Sequence, residues 1–211
     1  MTELVSVTSK GRIILTLKHG KHTYSELKFE SGLSDRWLTI KLRELEHEGL
    51  INKEEKWYGL KEELSVSPYE LSSYMSFQAK RIGHSLAQLH FVQAIILFGG
   101  VAKKNAHEYS DLDMIIVVGE PVDKVREELL AKISELEKNH HLMVEPLILD
   151  EKDFLDNAYS REGGIIYGIA EGFEVLLDKT GKITRILQDR IEEIKRTHEY
   201  LEEARIWLKV K

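Results

Sequence analysis

The chain has 211 residues, 42% of them hydrophobic and 31% charged, the balance of a folded globular protein rather than a disordered one. It has no cysteine, which excludes disulfides, zinc–thiolate centres and thiol catalysis. Net charge is −6, yet residues 1–64 are neutral with 11 Lys/Arg and 11 Asp/Glu, so any nucleic-acid contact has to come from a local basic patch.

The opening Met1-Thr2-Glu3 lacks the basic stretch and apolar core of a signal peptide. The longest apolar runs, Ala94–Phe98 and Met114–Val118, are five residues each, whereas a membrane-spanning helix needs ~20. These features predict a cytoplasmic protein with no membrane association.

In chain order, Arg12–Lys18 carries Ile13, Ile14, Leu15 and Leu17 and predicts a short helix, with Gly20 in the position of a C-terminal cap. Thr23-Tyr24-Ser25-Glu26 is a capping box that opens a second helix ending near Gly32. Ser34 caps a third, whose Leu38, Leu42 and Leu45 form one apolar face and whose end lies at Gly49. Leu50–Lys53 and Lys56–Leu60 predict two short strands around Glu54-Glu55. Trp37 and Trp57 are read as packing residues.

Ser34…Leu38…Leu42-Arg43-Glu44-Leu45…Glu48-Gly49-Leu50-Ile51 resembles the recognition helix and wing entry of winged helix-turn-helix transcription regulators. That resemblance implies a third helix in the major groove of duplex DNA. Arg36, Thr39 and Arg43 lie on its polar face, Lys41 flanks it, and Lys53, Lys56 and Lys61 on or beside the wing could meet phosphates. The alternative is a winged helix used for dimerisation or domain packing, which the neutral charge and the nearby Glu44, Glu46, Glu48, Glu54 and Glu55 favour.

Ser67-Pro68-Tyr69-Glu70 is another capping box, with Pro at the first helical position. Leu71, Tyr74, Met75, Ile82, Leu86 and Leu89 follow at helical spacing and predict a connecting helix over about 68–91. His84 and His90 have no ligand partner at useful spacing.

Ala94-Ile95-Ile96-Leu97-Phe98-Gly99-Gly100 is an apolar run closed by two glycines. Val101–Ser110 follows, then Asp111-Leu112-Asp113 opens a second β-branched run to Val118. Glycines let backbone N–H groups approach a phosphate. Residues i and i+2 of a strand share a side, so Asp111 and Asp113 converge, and paired carboxylates are hard oxygen ligands for Mg²⁺. Lys103, Lys104 and Ser110 lie between and could contact a triphosphate.

Phe98-Gly99-Gly100…Asp111-Leu112-Asp113 resembles the signature of the DNA polymerase β-type nucleotidyltransferase superfamily, and most of all its minimal prokaryotic members. The resemblance implies that Gly99 and Gly100 bind the triphosphate and that Asp111 and Asp113 hold Mg²⁺. It also asks for a third carboxylate on a neighbouring strand. Glu145, in Leu142–Leu149, matches by order and spacing, as a possible base and third metal ligand. Pro146 after it implies an edge or bulged strand. Asp150 and Asp153 are fallback candidates, read first as caps of a helix near Asp153–Tyr159. His140-His141 is read as a loop pair with no third ligand nearby.

Val122–Lys138 shows a helical stripe, Gly163–Leu177 predicts a helix and a short strand, and from Lys182 the pattern Leu187, Ile191, Ile194, Leu201, Ala204, Leu208 predicts one long helix. The expected fold is α+β: a winged helix over 1–64, a connecting helix over 65–92, a small mixed-sheet α/β nucleotidyltransferase domain over 93–180, and a C-terminal amphipathic helix over 181–211. The expected function is Mg²⁺-dependent transfer of a nucleoside monophosphate from an NTP to an acceptor hydroxyl, coupled to DNA binding. A nucleotide-sensing regulator without turnover and an antitoxin-like partner of a helical protein are the alternatives, and a homodimer is expected.

Overall fold

The computed structural model describes residues 8–62, 66–107, 109–160, 164–204 and 206–210. The expected boundary at 64/65 and the expected start of a helix at Gly163 lie outside those residues.

The first part holds α1 (Ser9–Lys18), β1 (His22–Thr23), α2 (Tyr24–Ser31), α3 (Asp35–His47), β2 (Ile51–Glu54) and β3 (Trp57–Leu60). Local chemistry sets each boundary. Thr23 and Glu26 satisfy each other's backbone donors at the start of α2, and Gly32 ends it at φ +62. The Ser34 hydroxyl accepts from Trp37 N–H at the start of α3. Leu38, Leu42 and Leu45 are buried, as their spacing predicts, against Ile13, Leu17, Leu27 and Ile51. The turn between β2 and β3 has Glu55 at φ +55, a position usually given to glycine or asparagine. β1 adds a third strand to the hairpin, in the order β1-β3-β2.

α4 (Pro68–Leu86) opens on the Ser67/Glu70 capping box and ends before Leu89. It is more than a connector. Tyr74, Met75, Ala79, Ile82 and Leu86 are fully or almost fully buried, and a Cβ on Gly83 would stand 3.4 Å from Leu176 and 3.9 Å from Ile95 on the sheet behind it.

That sheet is built from β4 (Val92–Leu97), β5 (Leu112–Val118), β6 (Val144–Asp150) and β7 (Glu174–Asp178) in the order β6-β5-β4-β7. β5 and β6 run parallel, joined by α6 (Val122–His140), and the other pairs are antiparallel. The two central strands are covered on both faces, which explains their near-continuous apolar runs. On one face Leu112, Met114 and Ile116 pack with α4 and α6. On the other, Ile115 and Val117 pack with α7 (Glu151–Ala158), α8 (Ile165–Ile169) and α9 (Lys182–Thr197). Pro146 lies on β6, an edge strand, where a missing N–H is tolerated. Asp150 caps α7 by accepting from Asp153 N–H.

The expectation of a single helix from Lys182 to the end is corrected. α9 stops at Thr197, and the chain turns into a hairpin of β8 (His198–Leu201) and β9 (Ile206–Lys209). Leu201 and Leu208 fit a helical stripe by number only: both are nearly half exposed, while Tyr200 and Trp207 pair across the strands. The alternation of period two wins over the apparent period of seven.

Asp178 carries the start of α9. Gly181 at the N-cap has no side chain, so Asp178 supplies the cap from the strand end, accepting from Thr180, Gly181 and Thr184 N–H and from the Thr184 hydroxyl. Burial opposes its charge, but the donors from Thr184, Thr180 and Gly181 outweigh it and hold the carboxyl below its usual range. Asp178→Ala is expected to cost about 1–2 kcal/mol, read as a drop of roughly 2–8 °C in Tm. Because the folded-state pKa is depressed, this stabilisation is present above about pH 3.9 and fades as pH falls below it.

Candidate active site

The strand pairing gathers the predicted acids. Asp113 is the direct partner of Glu145 across the parallel β5–β6 ladder, and Asp111 lies two residues before Asp113. By strand parity all three belong to the face of the sheet that carries Ile115, Val117 and Leu149. One carboxylate oxygen from each of Asp111, Asp113 and Glu145 lies within 4.8 Å of the others. Asp111 and Asp113 are half-buried and Glu145 is exposed at the sheet edge.

The glycine pair is explained by the same geometry. β4 ends at Leu97, Phe98 N–H donates to Asp113 carbonyl, and the short helix α5 (Gly99–Ala102) begins. Gly99 has φ +69, and a Cβ there would stand 1.8 Å from Asp113 Oδ2. No side chain fits, so this glycine is what lets the carboxylate lie against the backbone. Gly100 is different: a Cβ would meet Asn105 Oδ1 at 3.3 Å and Ser110 Oγ at 4.0 Å, a gap that a small side chain can enter once the Asn105 amide yields slightly. Burial, Asp111 and Glu145 together push the Asp113 carboxyl above its usual range, and a hydrogen bond from Gly100 N–H offsets only part of this. Lys103 acts in the same direction as that hydrogen bond, and the two do not cancel the effect of burial and the acidic neighbours.

The other predicted residues divide. Lys103 is near the site but committed, its Nζ 2.7 Å from Glu171 Oε2. Tyr200 hydroxyl donates to the same oxygen at 2.8 Å. Lys104 is exposed at φ +64. The Ser110 hydroxyl accepts from His107 N–H and closes a turn. An open cleft of about 660 Å³ runs from Gly100, Lys103 and Asn105 to Lys195, Tyr200 and Trp207. Its far wall is the C-terminal hairpin, which the helical reading of the tail missed. Trp207 is held there by its indole N–H on Tyr167 carbonyl, with its ring 5.2 Å from that of Tyr200. Only the alternation Tyr200…Trp207 could have signalled this wall.

In the first part of the chain, Arg36 and Arg43 are exposed on α3, and Lys53 and Lys56 are exposed on the hairpin. Lys41 is bound to both Glu44 oxygens, at 3.0 and 2.9 Å, and Thr39 Oγ1 lies 3.0 Å from Tyr24 hydroxyl, so neither stands free. Trp37 and Trp57, expected as packing residues, are 52% and 37% exposed. Each carries a lysine over its ring, Lys41 and Lys56 respectively.

Two family models match separate stretches of the chain. Residues 79–161 match the family model described as nucleotidyltransferase domain. Residues 4–69 match the HxlR-like helix-turn-helix. Among curated proteins none matches the chain. Among solved structures the chain is similar to a toxin–antitoxin with AMP-PNP, at 16% identity over 56% of this chain and 87% of that one, with a TM-score of 0.38. It is also similar to a chain of the Shewanella oneidensis complex of tri-AMPylated HEPN toxin with MNT antitoxin, at 17% identity over 57% of this chain and 87% of that one, with a TM-score of 0.35. Among the described residues no helix is long and apolar enough to cross a membrane.

Proposed function

We propose that this chain, a nucleotidyltransferase domain preceded by an HxlR-like helix-turn-helix, transfers a nucleoside monophosphate from an NTP to an acceptor hydroxyl with Mg²⁺, and docks on duplex DNA through its first part. The observation that carries the reading is the meeting of Asp111, Asp113 and Glu145 beside Gly99-Gly100.

The donor set suits Mg²⁺: three carboxylates, all oxygen, with ligand atoms within 4.8 Å of one another. Asp111, Asp113 and Glu145 would hold the ion, which when bound neutralises charge on the phosphates. Gly99 and Gly100 bring backbone N–H groups close to the phosphate chain. Tyr200 and Trp207 line the cleft where a base can stack. The acceptor oxygen attacks the α-phosphorus, the bond to the pyrophosphate oxygen breaks, and pyrophosphate leaves. Glu145, exposed at the mouth, is placed to take the hydroxyl proton. Lys103, held by Glu171, becomes a phosphate ligand only by exchanging that partner. The test is incubation with α-labelled NTP and Mg²⁺ against cell extract or RNA: labelled product and pyrophosphate are expected, both abolished by a chelator. Tight nucleotide binding without either product would identify a sensor instead.

The DNA-binding half of the reading rests on exposed Arg36, Arg43, Lys53 and Lys56, which share α3 and its adjoining hairpin. Duplex affinity is expected to fall steeply between low and physiological salt. Arg43→Ala is expected to weaken it by about 1–3 kcal/mol if the side chain reads a base, measured by fluorescence anisotropy. An absence of binding at low salt would reassign α3 to protein contact.

A further inference from the structure

A second cluster of ligating groups lies at the junction of the two halves, built from residues other than the three carboxylates. His22 on β1 and Glu30 on α2 come from the helix-turn-helix part, and His141 caps α6. His22 Nε2 and His141 Nε2 lie 3.2 and 3.4 Å from the same oxygen, Glu30 Oε1. The three ligand atoms all fall within 4.8 Å of one another. Glu30 is 1% exposed, and its second oxygen, Oε2, is buried with no hydrogen-bond partner among the described residues. With Oε2 buried, the charge of Glu30 has to be compensated at Oε1, where both histidines converge.

The tautomer of His22 sharpens this. Its Nδ1 lies 2.8 Å from Gly20 carbonyl, which can only accept, so Nδ1 carries a proton. Burial opposes a charge on His22, but the bonds to Glu30 and Gly20 outweigh it and hold the ring above its usual pKa, so without an ion Nε2–H donates to Glu30. An ion that displaces this proton finds the Nε2 lone pair already aimed at the carboxylate oxygen. The Nδ1–carbonyl bond is also what orients a histidine ligand in metal sites. A tetrahedral ion with bonds of about 2.0 Å separates its ligand atoms by about 3.3 Å, which matches both distances to Glu30 Oε1. His141 is held at φ +49 by the end of α6, and its side chain is 49% exposed, leaving a route for entry and an open fourth position.

The geometry points to a divalent transition-metal site, of the type that takes Zn²⁺, formed by His22, Glu30 and His141 and joining the helix-turn-helix part to the catalytic sheet. Nitrogen-rich ligands separate it from the all-oxygen set at Asp111, Asp113 and Glu145, which favours Mg²⁺. The junction around it is already fixed by Gln78 and Arg81, both donating to Glu30 carbonyl, so the ligands are held before an ion arrives. His141 is followed within three residues by β6, which carries Glu145, so occupancy bears on the catalytic edge as well as on the docking of α2.

The experiment uses the full chain carrying Asp111→Ala and Asp113→Ala, so that the other carboxylate site cannot contribute, and titrates Zn²⁺ alone against a competing chelator. One Zn²⁺ per chain is expected, with a Tm that rises on binding. Adding His141→Ala, a substitution at a half-exposed residue, is expected to lower affinity at least ~10-fold and to remove the Tm rise. Co²⁺ in place of Zn²⁺ is expected to give the intense visible absorption of a tetrahedral site, lost in the same variant. Absence of Zn²⁺ binding, or equal binding with and without His141, would overturn the site and leave the cluster as a charged hydrogen-bond network. Nucleotidyl transfer by the unaltered chain has no bearing on either outcome.

Discussion

Asp113→Ala is expected to lower nucleotidyl transfer by at least about 10³-fold, the equivalent of about 4 kcal/mol of transition-state stabilisation. Asp113 is the central member of the trio: it pairs in register with Glu145, lies two residues from Asp111 and receives the Gly100 N–H. Its removal takes away one ligand and the contact that aligns the glycine turn. The fold should survive, because Asp113 is only half-buried and its carboxyl, already raised by burial and by its two acidic neighbours, contributes strain rather than stability. Steady-state rates, with Tm as the control, separate the two effects. Near-wild-type turnover would remove Asp113 from the chemistry.

The second large effect is expected at Gly99. A methyl group there would stand 1.8 Å from Asp113 Oδ2, and φ +69 is unfavourable for any L side chain. Gly99→Ala must therefore move either the carboxylate or the backbone turn. A displacement of about 1 Å in a positioned catalytic group can cost about 10²-fold in rate, and left-handed backbone adds about 1–2 kcal/mol of instability. Gly100→Ser serves as the internal contrast. It meets only the Asn105 amide at 3.3 Å and the Ser110 hydroxyl at 4.0 Å, and is expected to keep most activity. Equal losses at the two positions would mean that the glycines act through general flexibility and not through the Asp113 contact.

Much of this site could be read from the chain because its parts are local or regularly spaced. Gly99-Gly100, Asp111 and Asp113 fall within one strand–turn–strand passage, and Glu145 follows at the next parallel strand. The register Asp113↔Glu145 then brings them together. The capping boxes at Thr23 and Ser67 were equally legible, since a cap depends on four consecutive residues.

What was hidden depends on tertiary placement. Leu201 and Leu208 continue the stripe of α9 by number, so the hairpin that walls the cleft read as helix. The deciding fact is that Tyr200 and Trp207 find Glu171 and Tyr167 to bond to. The pairing of Lys103, expected to contact a triphosphate, with Glu171, 68 residues away, is invisible to local pattern. His141 read as part of a loop pair for the same reason: its companions His22 and Glu30 arrive from the other half of the molecule. Trp37 and Trp57 read as core by residue type, yet α3 had already filled its apolar face with Leu38, Leu42 and Leu45 and left Trp37 outside.

The most direct test of the central claim compares α-labelled with γ-labelled NTP, in parallel, for the unaltered chain and for Asp111→Ala/Asp113→Ala, with Mg²⁺ and a mixture of protein and RNA acceptors. The α label is expected to move to an acceptor only with the aspartates intact, while the γ label leaves as pyrophosphate. Transfer of the γ label, or transfer of the α label by the double variant, would contradict the assignment of this pocket as a nucleotidyl-transfer site.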